Sequence, residues 1–375
     1  MQRLHCIFLF LFLASSGLGA QGLALPLGNP SYELLDRLSL RFGYAEVPRP
    51  AFHPGLRPVE RGPLLRLLRS YELTHGDQLS AIDRFWLQYT YDDNNEWLAL
   101  PPLTAEHKDE AANWLTDSLA IRATRQEHYR RSQRSLLNIF YHSPANFLEV
   151  NEANFYLRLN PILDLRFGKM RNDAQDYYYN RRGVEMRGGV DERIFFYFQI
   201  LETQNSLPNY LADFRRRFEA LPGAGFVKNF NGQGITNGVD FLNSQGYVSF
   251  DATPHVGLTL GYGNHFIGSG ERSLLLSDFS NNYPFLQLNW RVWKFHYQNL
   301  YAQLSDGPLR TGTPGQPSPQ KYFAAHHLSI NLGKRLNLGL FEAVVLNRHN
   351  GFELAYLNPV IFTAPWREAS AAQTT

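Results

Sequence analysis

At 375 residues the chain is long enough for two or three soluble domains or for one large barrel. A formal net charge of +2 without a long basic run argues against a nucleic-acid-binding face, and the only cysteine, Cys6, leaves the rest of the chain without disulfides, thiolate nucleophiles or cysteine-bound metal. Aromatic residues make up 14 %, with 20 Tyr and 27 Phe, a load that suits the girdles of a membrane barrel and equally an aromatic-rich soluble β-protein.

In chain order, Met1-Gln2-Arg3 gives a positive start, Ile7–Leu13 an unbroken apolar run and Ala14–Ala20 a small, turn-prone stretch. This layout predicts a secretory signal peptide over residues 1–20, with cleavage after Ala20. The run is too short to cross a bilayer, and no other run of about 18 apolar residues follows. Residues 21–130 are expected to form a mostly helical region. Segment 31–43 fits either a helical turn or the start of a strand. In Val59–Leu73, Leu64, Leu65, Leu67 and Leu68 recur at helical spacing behind Pro63. Ser80–Tyr91 predicts a second helix whose buried stripe is Ile82, Phe85, Trp86 and Tyr89. A third helix is expected from Thr104 through Trp114 toward Leu119.

From Leu136 onward a two-residue period takes over, and residues 131–362 predict strands. Phe155, Leu157 and Leu159 oppose Tyr156 and Arg158; Leu163, Leu165 and Phe167 oppose Asp164 and Arg166, with a turn expected at Asn160-Pro161 between the two runs. A hairpin is predicted around Gly188–Glu192, and residues 204–243 are expected to be one long external excursion. After a turn at Thr253-Pro254 comes the cleanest alternation: Val256, Leu258, Leu260 and Tyr262 against His255, Gly257, Thr259 and Gly261. Residues 263–283 form another long loop. Leu286, Leu288, Trp290 and Val292 continue the pattern, followed by Trp293, Phe295 and Tyr297. Beyond the Pro/Gly loop 305–320, Leu328, Ile330 and Leu332 meet Leu336, Leu338 and Leu340 across Gly333-Lys334. Arg158, Asp164, Arg166, Arg291 and Lys294 fall on the polar face and none on the apolar rows. A charge facing mid-bilayer lipid costs roughly 2–4 kcal/mol, so this placement suits a lipid-facing sheet, although a soluble sandwich also keeps charge from its buried face. Export, tyrosine content and the alternation of short turns with long loops favour a mainly β fold: an antiparallel transmembrane β-barrel, with the N-terminal helices packed on one another or into a barrel end.

The stretch GYGNHFIGSGERSLLLSDFS at Gly261–Ser280, with Tyr283–Leu286, Val292–Phe295, Ala325–Ser329, Leu340–Val344 and Glu353–Phe362, resembles the Wzi capsule-assembly family, as do Tyr32–Leu40 and Asn94–Trp97. The likeness is closest to its Bacteroidetes branch, which includes gliding-motility RemB proteins. The resemblance implies a non-catalytic outer-membrane barrel with a small N-terminal helical bundle on its periplasmic side, residues 21–130 here, that acts as a surface lectin for capsular or other exported polysaccharide. After Phe362 the chain departs from the family: residues 363–375 are small and polar, and an incomplete barrel is the resulting expectation.

No constellation of reactive side chains predicts an enzyme, and no cofactor is expected. Gly261, Gly263, Gly268 and Gly270 lack phosphate-loop spacing. His326 and His327 are adjacent on a strand and face opposite ways, so they do not share a metal. Sugar binding needs planar hydrogen-bonding groups beside aromatic faces. The candidates are Arg215, Arg216, Arg217 and Lys228 in the first long loop and His265, Arg272, Asp278 and Tyr283 in the second. The expected partners are surface polysaccharide and outer-membrane lipid, with the protein a monomer. Alternative functions are a diffusion pore and a motility-associated structural surface protein.

Overall fold

In the computed structural model, residues 22–44, 52–98, 143–169, 176–225, 227–232, 235–253, 255–305 and 320–346 are described, together with Ser132, Phe140 and Tyr141. The expected leader, the third helix and the tail 363–375 lie outside these residues. The chain is mainly β. An N-terminal body carries α1 (Ser31–Phe42), a short strand β1 (Leu56–Arg57), α2 (Arg61–His75) and α3 (Ala81–Asp93). One antiparallel sheet follows, made of β2 (Leu148–Asn151), β3 (Phe155–Lys169), β4 (Asp176–Val190), β5 (Ile194–Ser206), β6 (Val227–Gly232), β7 (Ile235–Thr253), β8 (Val256–Gly263), β10 (Tyr283–Val292), β11 (Phe295–Ser305), β12 (Gln320–Asn331) and β13 (Asn337–Leu346). Helix α4 (Asn209–Phe218) stands between β5 and β6, and the short strand β9 (Phe266–Ile267) pairs with β1.

Segment 31–43 resolves as a helix. Pro30 precedes its first turn, Leu34, Leu35 and Leu38 fall on its buried side, and it stops at Gly43. Gly43 has φ +85°, and a Cβ there would lie 2.3 Å from the Lys334 carbonyl oxygen, so both backbone shape and contact require glycine. Helix α2 buries Leu64, Leu65, Leu67 and Leu68 as expected. Helix α3 starts with a capping box between Ser80 and Asp83. Its buried side is Leu87, Thr90 and Tyr91, whereas Ile82, Phe85 and Tyr89 of the expected stripe are exposed. Two side chains set this rotation: Asp83 accepts from Arg37 on α1 at 2.8 Å, and Tyr91 donates to Glu72 on α2 at 3.0 Å.

In the sheet each strand pairs with its neighbours in the order β13-β12-β11-β10-β8-β7-β5-β4-β3-β2, with β6 hydrogen-bonded to the upper part of β7. Among the described residues β13 and β2 have no second partner, so the sheet is open there rather than closed into the expected barrel. Three local expectations are corrected. Asn160-Pro161 is not a turn: β3 runs through it, two residues beyond the last β2 pair at Leu159, where that edge has no neighbour needing the missing N–H. The excursion at 204–243 shrinks to 207–226, because β6 and β7 occupy the rest. Trp293-Lys294 is a two-residue turn joining Val292 to Phe295, with Trp293 at φ +56°.

The predicted short links at 191–193, 254–255 and 332–336 are short, as is the unforeseen one at 293–294, whereas 207–226 and 264–282 are long. Because successive strands are antiparallel, the short links share one end of the sheet and the long ones the other. The N-terminal body sits against the short-link end. The Tyr44 N–H donates to the Lys334 carbonyl at 2.7 Å, and Asn331 donates to the Phe52 carbonyl at 2.8 Å.

Candidate functional site: an inside-out sheet with a filled interior

The two faces of the sheet differ: large apolar side chains stand exposed on the outward one, while the inward one buries a mixture of polar and apolar residues. On the outward face stand Leu163, Leu165, Phe167, Val248, Phe250, Leu258, Leu260, Leu338 and Leu340, all exposed; Phe167 is 81 % and Leu260 64 % accessible. On the inward face Arg158, Arg187, Thr203, Ser249, Asn289, His296, Gln298, His327 and Ser329 are buried. The outward face also carries polar groups, among them Glu342 on β13, in register with His326. Arg182 and Glu202 pair at 2.9 Å toward the long-link rim. At mid-strand, Asn299 accepts from the Trp290 indole at 3.2 Å and approaches His326 at 2.6 Å, which satisfies these groups against one another.

The polar groups of the inward face are matched by charged side chains of the N-terminal body, beside inward apolar clusters around Phe195 and Phe285. Glu96, just after α3, accepts from Arg187 Nε at 2.7 Å and lies 3.9 Å from Arg158; all three side chains are 0–1 % exposed. Arg187 also donates to Glu185 at 2.8 Å, Arg158 donates to Asn95 at 3.0 Å, and Arg61 donates to Asn94 at 2.5 Å. Glu60 and Arg291 form a two-pronged pair at 2.5 and 2.7 Å. His53 bonds Ser329 at 2.9 Å, and the Tyr247 hydroxyl accepts from the Ala24 N–H at 2.8 Å. A single small body thus touches one face of the sheet from β3 to β12. On a flat sheet those strands would spread over ~34 Å at about 4.8 Å per step, so the sheet must curve around the body.

Burial alone would raise the Glu96 pKa, but Arg187, Arg158 and Arg61 hold it at about 2. His53 is pushed to about 3 by burial and by the nearby charges of Arg291 and His327. Both values lie below those of the unfolded chain, 4.5 and 6.5, so each group favours docking above its unfolded value and opposes it as pH falls toward its folded one. Docking of residues 22–98 should therefore loosen in two steps, beginning below pH 6.5 through His53 and again below 4.5 through Glu96. Limited proteolysis across this range checks it; the upper step should vanish in His53→Asn.

At the long-link end, the sequence candidates fall into two groups. Arg215, Arg216 and Arg217 occupy the last turn of α4, where cations suit the helix dipole. Arg215 donates to Asn229 on β6 at 2.6 Å, Arg216 pairs with Asp213, and the Arg217 guanidinium lies 5.2 Å from the centre of the Phe218 ring. Lys228 is exposed on β6 opposite Asp240. Arg272 and Asp278 lie in loop 264–282 and pair with each other at 3.3 Å. The two excursions pack together: Phe214 of α4 meets Phe279 edge-on at 6.0 Å, and the Gly223 N–H donates to the Phe279 carbonyl at 3.1 Å. Exposed Tyr210 and Phe218 stand beside the arginines.

His265 and Tyr283 are not part of that surface. Both are buried and bonded to each other at 3.2 Å, with His265 also bonded to Gln287 at 3.0 Å. Burial pushes the His265 pKa to about 4. The glycine-rich segment here is a tight loop: Gly268 has φ +140°, and a Cβ on it would lie 2.5 Å from Ser273 Oγ. His326 and His327 occupy opposite faces of β12. Among the described residues no three His, Cys, Asp or Glu side chains are grouped to hold a metal, and no helix is long and apolar enough to cross a membrane. The sequence pointed to Arg158 and Arg291 as inward-facing charges but not to their partners Glu96 and Glu60. The available signal was an acid just outside each helix end, Glu60 before α2 and Glu96 after α3, with strand arginines needing a counter-charge. No family model, curated protein or solved structure matches the chain.

Proposed function

We propose that the protein is an outer-membrane barrel of the Wzi type that retains capsular or other exported polysaccharide at the cell surface without catalysis. The observation that carries the membrane placement is the reversed sheet: exposed Leu, Val and Phe outside, buried Arg, Asn, Gln and His inside. With the short links toward the periplasm, the α4 surface lies outside the cell. There Arg215, Arg216, Arg217 and Lys228 supply cationic forks and a point charge for acidic sugars, and Tyr210 and Phe218 supply ring faces. Filling of the interior by residues 22–98 speaks against a diffusion pore, so purified protein should give no steady conductance in planar bilayers. Replacing Arg215, Arg216 and Arg217 together by alanine should weaken retention of an anionic surface polysaccharide by about tenfold or more, since each charge-assisted contact contributes strongly. Cell-associated and shed polysaccharide in matched strains measure it; unchanged retention would overturn the assignment.

A further inference from the structure

From Glu185 toward the long-link end, the inward wall of β3 and β4 carries a second charged group. Asp164 and Arg166 on β3 share the face of Arg158, and Tyr179 and Arg181 on β4 share the face of Arg187. The four stand in register as the pairs Asp164–Arg181 and Arg166–Tyr179, and Asn205 of β5 lies opposite Tyr179. On β7, the next strand, Val239 and Phe241 are covered by α4. The charged group is not: the Arg166 side chain is 71 % and that of Asp164 30 % exposed. Its charges are unequally matched. Arg166 takes both oxygens of Asp164, at 2.9 and 2.7 Å. Arg181 faces the same carboxylate but forms no ion pair among the described residues, and its Nε is buried without a hydrogen-bond partner. Both guanidiniums lie 5.1 Å from the centre of the Tyr179 ring. Arginine does not shed its proton, so an uncommitted guanidinium in a half-buried wall calls for an anion.

We infer that this wall binds a carboxylate-bearing sugar unit, with Arg181 as its main anchor and the exposed edge of Arg166 beside it. Stacking on Tyr179 engages the face of the Arg181 guanidinium and leaves its in-plane N–H groups for a two-pronged bond to a carboxylate. Two arginines and one aspartate leave a single positive charge, which matches one monoanionic group; Asp164 repels a dianionic phosphate more strongly. The Asn205 amide both donates and accepts, which suits the hydroxyls of a sugar ring. The choice of a sugar as the carrier of the carboxylate rests on the polysaccharide reading above. The site itself is separate from the α4 arginines and does not depend on them.

The test is calorimetric titration of the full chain, in a detergent without a sugar headgroup, with trigalacturonate and separately with maltotriose. It is run in a background where Arg215, Arg216 and Arg217 are replaced by alanine, so that heat from the α4 surface is removed. Trigalacturonate should bind there and maltotriose should not. Arg181→Gln should weaken trigalacturonate binding by about tenfold, the loss of roughly one charge-assisted contact. Asp164→Asn releases the Arg166 fork and should strengthen binding, a gain that misfolding does not mimic. No heat with trigalacturonate at millimolar concentration, equal binding of maltotriose, full affinity in a folded Arg181→Gln, or no gain in a folded Asp164→Asn would each overturn the inference. If Arg181→Gln does not fold, the response to Asp164→Asn decides. Binding in this background with unchanged polysaccharide retention on cells would refute the α4 assignment alone, and lost retention without binding would refute the wall site alone.

Discussion

Replacing Glu96 by alanine is expected to undock residues 22–98 from the sheet. The substitution leaves Arg187 and Arg158 fully buried beside a space where their shared counter-charge stood. Breaking a buried pair from one side costs roughly 3–5 kcal/mol, because the surviving charge is stranded away from water. Here two cations are affected, although Asp93, Glu185 and Glu149 remain within 4 Å of one or the other and limit the damage. The expected result is rapid proteolysis within residues 22–98 and a new bilayer conductance as the interior empties. Glu96→Gln keeps a hydrogen-bond acceptor and should fall between the two. The double change Glu96→Leu with Arg187→Leu should be less harmful than Glu96→Leu alone, since a matched apolar pair strands no charge on Arg187. Equal protection from protease in Glu96→Ala and the unaltered protein would show that the ion network does not hold the body in place.

Leu260→Arg should be the most damaging single change on the outward face. Leu260 lies in the middle of β8, paired with Val248 on one side and Leu286 on the other, and is 64 % exposed. In a water-soluble protein a change at so exposed a position stays within about 0.5 kcal/mol. Facing the bilayer midplane, an arginine costs about 2–4 kcal/mol. Equilibrium unfolding in lipid vesicles should show that loss, while Leu260→Phe should be nearly neutral. Unchanged vesicle stability in Leu260→Arg would place this row in water.

The rows of the sheet were legible because strand faces alternate strictly. Val256, Leu258, Leu260 and Tyr262 needed only a period of two, and the structure keeps all of them outward. The turn at Trp293-Lys294 was missed, although a change of parity marks it: the apolar row falls on even numbers through Val292 and on odd numbers from Phe295. Pro161 was misleading because a proline normally ends a strand, and only the pairing pattern shows that β3 has outrun β2 at that point. The stripe on α3 was misleading because Ile82, Phe85 and Tyr89 give a good apolar face, yet Asp83 and Tyr91 bind partners on α1 and α2 that the helix sequence does not announce. The candidate site was half legible for the same reason. Residue type marked Arg215–Arg217 as cationic, but the burial of His265 and Tyr283 follows from the fold of loop 264–282 on β10. The ion network around Glu96 joins residues about 91 positions apart and has no local signature.

On the proposed placement, the outward rows meet hydrocarbon and their neighbours do not. Cys6 is the only native cysteine, so Cys6→Ser gives a clean background for spin labels placed one at a time along Val256–Tyr262 in lipid vesicles. A two-residue oscillation is expected, with labels at 256, 258, 260 and 262 accessible to oxygen dissolved in the bilayer and labels at 257, 259 and 261 shielded from it. Labels at 258 and 260 that respond to a water-soluble relaxant instead would contradict it.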